Sequence, residues 1–132
     1  MIGNLSQAVL ESLLETMPVE FSVVDSDDKV LAWNRHESRI FKRPAAVVGR
    51  DVRNCHPKHS LGKVETILSE MKEGKREKAE FWIDMTINGK TEKVLIQYFA
   101  LRDAGGAYIG CLEVSQRITR IQSLSGEKRL LD

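Results

Sequence analysis

At 132 residues, with 42% hydrophobic and 30% charged side chains, the chain has the length and composition of one domain able to bury its own core without disulfide or metal staples. Its net charge of +1 comes from 20 basic and 19 acidic residues scattered among one another, which argues against a domain built on nucleic-acid electrostatics. No apolar run approaches the roughly 20 residues of a membrane span, the N-terminus has no basic segment of a signal peptide, and two distant cysteines (55 and 111) make no disulfide framework, so a cytoplasmic location is expected.

Leu5, Val9, Leu10, Leu13, Leu14 and Met17 recur at three- and four-residue spacing, which predicts a helix over 5–17 that Pro18 ends. "VEFSVVD" and "KVLAW" read as two short strands joined by the turn-forming Ser26-Asp27-Asp28. Asn34 with Glu37 has the spacing of a capping box, so a short helix through Ile40 and Phe41 is expected, followed by a helical turn opened by Pro44 and closed by Gly49. Val64, Ile67, Leu68 and Met71 mark a helix over 60–73 that Gly74 stops. "AEFWIDMTI", "EKVLIQYFALR" and "AYIGCLEVSQ" then read as three strands, joined by Asn88-Gly89, a strong hairpin signal, and by Asp103-Ala104-Gly105-Gly106. Ile118, Ile121 and Leu124 predict an exit helix. Two strand groups with helices between them indicate an α+β domain: one five-stranded antiparallel sheet with helices on one face and an extra helix at the N-terminus.

The element order, together with "MPVEFSVVDSDDKVLAWN", "GRDVRNCHP", "KAEFWI", "YFALRD" and "GCLEVSQ", resembles a PAS domain from about Glu20 to Thr119. The branch it looks like is the one found C-terminal to haemerythrin-like domains in bacterial and archaeal proteins. The resemblance implies an N-terminal helix over 1–18, a PAS domain over 19–119 and an exit segment over 120–132. This chain departs from the branch twice. It reads NCHPKHS rather than NCHPPKS, and Arg117-Ile118-Thr119 stands where PAS domains carry an Asp-initiated relay motif.

The stretch from Asn54 to His59 precedes the helix that, by the resemblance, walls a ligand cavity. One reading makes His56 an axial ligand to haem, since a neutral imidazole suits that metal. The plainer reading makes Asn54, Cys55 and His56 a helix start, with Pro57 in its first turn and Cys55 packed as a small hydrophobe. Zinc held by Cys55, His56 and His59 is disfavoured by adjacent ligands, and a c-type haem by the lack of Cys-x-x-Cys-His. Cys55 and His56 as a nucleophile pair lack an orienting third group, so no enzymatic activity is expected. His36 reads as a surface residue. Phe81, Ile83, Met85, Ile96, Tyr98, Leu112 and Val114 alternate with polar neighbours and are expected on one face, as ordinary core or as cavity lining; Trp33 and Trp82 are expected on the other.

The candidate site is therefore His56, Cys55 and Asn54 with Met85, Ile83, Tyr98 and Leu112. The expected function is a PAS sensory or interaction module that binds a small ligand and relays the change to a partner. The alternatives are a haem-based redox or gas sensor using His56, and a ligand-free dimerisation domain. A homodimer through the N-terminal helix is expected, because its apolar stripe is otherwise bare, with neither nucleic acid nor membrane as partner.

Overall fold

A computed structural model of the chain describes residues 2–43, 45, 48–51 and 61–131. Helix α1 (Gln7–Thr16) begins where Ser6 Oγ accepts a hydrogen bond from Val9 N at 3.1 Å, an ordinary N-cap. None of its residues is buried. It is fastened to the rest of the domain at its C-terminal end. The Asn34 side chain accepts from Phe21 N at 2.8 Å and donates to Leu14 O at 2.7 Å and Val19 O at 3.0 Å. Asn34 thus spends its amide group on chain segments far away in sequence. That is why the expected capping box with Glu37 does not form, and why only a 3-10 turn, His36–Ser38, follows. The turn begins at Arg35, whose backbone is left-handed and whose side chain caps nothing.

Strands β1 (Glu20–Asp25), β2 (Val30–Trp33), β3 (Lys78–Ile87), β4 (Lys90–Arg102) and β5 (Tyr108–Arg117) form one antiparallel sheet in the order β2-β1-β5-β4-β3. All five lie where the alternation and turn signals predict them. The β1–β2 turn is held by Asp25 Oδ1, which accepts from Asp27 N and Lys29 N. Asn88 and Gly89 both have positive φ (52° and 78°), the type I′ geometry that matches strand twist. Asp103 Oδ1 accepts from Gly105 N and Ala107 N to close the β4–β5 turn.

Helix α2 (Leu61–Lys72) lays Val64, Leu68 and Met71 on the sheet, and Gly74 ends it at a φ of 76°. These three join Val24, Val30, Val94, Ile96, Tyr98 and Cys111 in the core. The end of α2 and the turn after it are tied down by ion pairs: Lys72 with the buried Asp28 at 2.7 Å, and Arg76 with Glu70 at 2.6 Å. Residues 49–51 run antiparallel to the start of β2, with Gly49 N donating to Val30 O and Val30 N to Arg50 O. The exit helix is short. Helix α3 (Thr119–Gln122) leaves directly from β5, with Thr119 Oγ1 accepting from Lys93 N. No described helix is long and apolar enough to cross a membrane. The expected turn over 44–47 lies partly outside the described residues. Asn54, Cys55, His56, Pro57 and His59 lie wholly outside them.

Candidate ligand site

Register decides which side chains share the helix-covered face. Directly opposed residues of an antiparallel pair point the same way. Val24 opposes Cys111, Ser22 opposes Glu113 and Glu20 opposes Ser115, while Glu113 in turn opposes Tyr98, and Ser115 opposes Ile96. Val24, Cys111, Tyr98 and Ile96 belong to the core packed by α2, so Glu20, Ser22, Glu113 and Ser115 face it too. The middle of the covered face is therefore polar.

This corrects two expectations. Leu112 and Val114 oppose Phe99 and Gln97 on β4, and Val23 and Phe21 on β1, so they lie on the opposite face from Tyr98. The polar residues of β5 turn inward because charged partners await them there. Trp33 opposes Ser22 and packs on the core, whereas Trp82 is on the outer face and exposed. Ile83 and Met85 do share the Tyr98 face, through Phe81 opposite Ile96 and Ile83 opposite Val94, but on the edge strand, with Ile83 exposed and Met85 half-buried.

The inward polar residues are met by two arginines from the segment after β2. Arg39 is fully engaged. Its Nε donates to Phe41 O, Nη1 to Phe21 O and Asn34 O, and Nη2 to Ser22 Oγ, while Nη2 also forms an ion pair with Glu20 Oε2 (3.1 Å). Four hydrogen bonds and one ion pair engage the guanidinium. Both partners of the Arg39–Glu20 pair are almost wholly buried, and Glu20 also accepts from Ile40 N and Phe41 N. Burial lowers the Arg39 pKa, and the Glu20 carboxylate opposes that shift.

Arg43 is different. Its Nε donates to Ser22 Oγ at 2.8 Å and its Nη2 to Glu113 Oε2 at 3.4 Å. It borders a small cavity of about 10 Å3 that Ser22, Val24, Val30, Val64, Leu68, Tyr98, Cys111 and Glu113 line among the described residues. That volume is on the margin of a single water molecule. Burial, and then the Glu113 carboxylate, drive the Tyr98 hydroxyl far above its usual range. The same two causes, in the same order, push the Cys111 thiol up to about 12. Among the described residues, no cluster of His, Cys, Asp and Glu could hold a metal ion.

Among the described residues of the sequence-predicted site, Tyr98 alone lines this cavity. Arg43, Glu113, Ser22 and Cys111 were missed as lining. The signal for them was present as inward parity in "EFSVV" and "GCLEVS", but parity alone does not say which face is covered.

Cys111 gives a direct check on this geometry. In a Cys55→Ser background, Cys111 should react with an aromatic disulfide reagent at pH 8 at least ~100-fold more slowly in the folded than in the urea-unfolded chain, since the raised pKa removes most of its thiolate. The stability tied to that raised pKa is fully present below the ordinary thiol pKa of 9.0 and is lost as pH rises towards about 12. Equal rates in the two states would place the thiol in solvent.

The comparisons with known proteins agree with this architecture. A family model described as "PAS domain" matches residues 10–119. The crystal structure of a C-terminal domain from Streptococcus mutans superposes with a TM-score of 0.82 at 31% identity, covering 95% of this chain and 96% of that one. The PAS domain of BvgS from Bordetella pertussis gives 0.64 at 21% identity, covering 85% of each chain. A sensory box sensor histidine kinase from Vibrio cholerae gives 0.59 at 12% identity, covering 86% and 91%. No curated protein matches the sequence.

Proposed function

Because this chain belongs to the PAS domain family, whose members are sensory modules of signalling proteins and typically non-catalytic, we propose that it binds a small molecule between sheet and helix and relays the change to a partner through its terminal helices. The observation that carries this reading is the polar, charge-paired cavity wall of Arg43, Glu113, Ser22 and Tyr98. A domain that needed only a packed core gains nothing from buried charges there, because apolar residues of similar volume serve stability as well or better.

The relay half of the reading rests on α1. Leu5, Val9 and Leu13 are 44%, 51% and 50% exposed, and an open groove runs along Val9, Leu13, Met17 and Pro18. A second copy of the helix covers that stripe in a homodimer, the form in which a change at the sheet reaches a partner. The setting that goes with this reading is cytoplasmic, C-terminal to a haemerythrin-like domain.

One specific observation favours the ligand-free dimerisation domain instead: a cavity of about 10 Å3 is nearly filled. Native mass spectrometry separates the two. The expected result is a dimer carrying extra mass that organic extraction releases, with Leu13→Asp reducing it to a monomer. A dimer of bare sequence mass favours the structural reading, and a bare monomer sinks both halves. Haem ligation by His56 would show as a Soret band in the same preparation, lost in His56→Ala and kept in His59→Ala.

A further inference from the structure

The two buried arginines of the covered face are matched by two buried or half-buried glutamates, Arg39 by Glu20 and Arg43 by Glu113. Among the described residues, the charges of this layer cancel. They are not equally spent. Among the described residues, Arg39 makes four hydrogen bonds and an ion pair with Glu20, whereas Arg43 makes one hydrogen bond to Ser22 and one, at 3.4 Å, to Glu113. Glu113 receives Arg43 on Oε2 alone, leaving Oε1 as an acceptor without a partner among the described residues. Arg43, Glu113 and Tyr98 border the same cavity, whose remaining wall is Val24, Val30, Val64, Leu68 and Cys111.

We propose that this cavity selects an uncharged molecule that presents a hydrogen-bond acceptor beside a donor, as an amide or lactam does, with the acceptor taken by Arg43 and the donor by Glu113. This rests on the cavity-ligand reading above and adds the class of ligand. The physical ground is charge balance. A carboxylate or ammonium ligand would leave a net charge in a layer whose described residues are neutral without it, and an uncompensated buried charge is costly. A purely apolar ligand would strip water from Arg43 and Glu113 and return no hydrogen bond. A molecule with one acceptor and one donor meets both needs. Anything larger than water must also displace Val64 and Leu68, so the ligand is coupled to α2, the element that covers the sheet.

Acetamide, acetone and acetate test this, being planar probes of nearly equal size that carry acceptor plus donor, acceptor alone, and negative charge. The full chain is titrated with each to roughly 100 mM, a range suited to four-atom ligands, and the amide signals of Ser22, Tyr98, Cys111 and Glu113 are followed by NMR. The expected result is saturable shifts with acetamide, and at least about tenfold weaker binding of acetone and of acetate. Glu113→Gln gives the buried layer a net positive charge and should reverse the order in favour of acetate, with signal dispersion reporting that the variant is folded. Acetone binding as tightly as acetamide, or acetate binding more tightly, overturns the donor–acceptor proposal while leaving a ligand cavity. No shift at those amides with any probe overturns the cavity reading as well. The wild-type ranking decides even if Glu113→Gln does not fold.

Discussion

Replacing Arg39 by methionine should lower the unfolding free energy by about 3–5 kcal/mol, enough to leave a domain of this size largely unfolded at ordinary temperature. The methionine side chain fills similar volume but supplies none of the four hydrogen bonds and no charge to meet Glu20. Glu20 then holds a carboxylate at 4% side-chain exposure with its ion-pair partner gone, the carbonyls of Asn34 and Phe41 lose the Arg39 donor, and that of Phe21 keeps only Asn34 N at 3.4 Å among the described residues. These acceptors sit on β1, at the end of β2 and on the segment that follows, so the loss unties three stretches of chain at once. The companion variant Arg39→Met/Glu20→Leu should recover part of the loss, because it removes the stranded charge. Urea denaturation of both measures this. A single variant within 1 kcal/mol of wild type, at any measured pH from 6 to 8, would mean that Arg39 merely decorates the fold.

That prediction concerns a residue whose importance was invisible in the sequence, and the reason is physical. The five strands were legible because alternation, Asn88-Gly89 and the Asp103 turn are local signals that tertiary packing reinforced. The covered face of β1 and β5 was not legible. Phe21, Val23, Leu112 and Val114 are apolar, so hydrophobicity alone would assign them inward, although Val24 and Cys111 lie on the other parity. The sheet instead turns Glu20, Ser22, Glu113 and Ser115 inward, and Arg39 and Arg43 reach across from 17 or more positions away to meet the first three. A parity decision that depends on distant charges cannot be made from a window of ten residues. Asn34 failed in the same way: its spacing to Glu37 fits a local cap, but its amide group is claimed by Leu14, Val19 and Phe21. Tyr98 was found because it is apolar enough to follow the core pattern and also carries a hydroxyl. The stretch from Asn54 to His59, which sequence chemistry made conspicuous, lies outside the described residues, and its proposed part in the site stands on the absorption test.

Gly110→Ala should be the most damaging single-carbon change in the sheet, at about 2–4 kcal/mol. Gly110 opposes Asp25 across the β1–β5 pair, and a Cβ built on it would drive into the Val24 carbonyl oxygen and crowd the Val24 carbonyl carbon and the Asp25 Cα. These are backbone atoms of a central strand, so no side-chain rotation relieves the clash. β1 must shift away from β5 or lose hydrogen bonds there. The displacement would also reach the cavity, because Val24 and Cys111 form part of its wall. Gly62, in the first turn of α2, is the control. None of the described residues lies within 4 Å of a Cβ at that position, so Gly62→Ala should stabilise the chain by about 0.5–1 kcal/mol through helix propensity and reduced freedom of the unfolded chain. The two variants add the same methyl group, and their effects on the urea midpoint should have opposite sign. A neutral Gly110→Ala would mean that β1 and β5 stand further apart than their register requires. It would also loosen the case for a tight cavity, since the strand spacing at Val24 and Cys111 sets how closely Arg43 and Glu113 approach whatever lies between them.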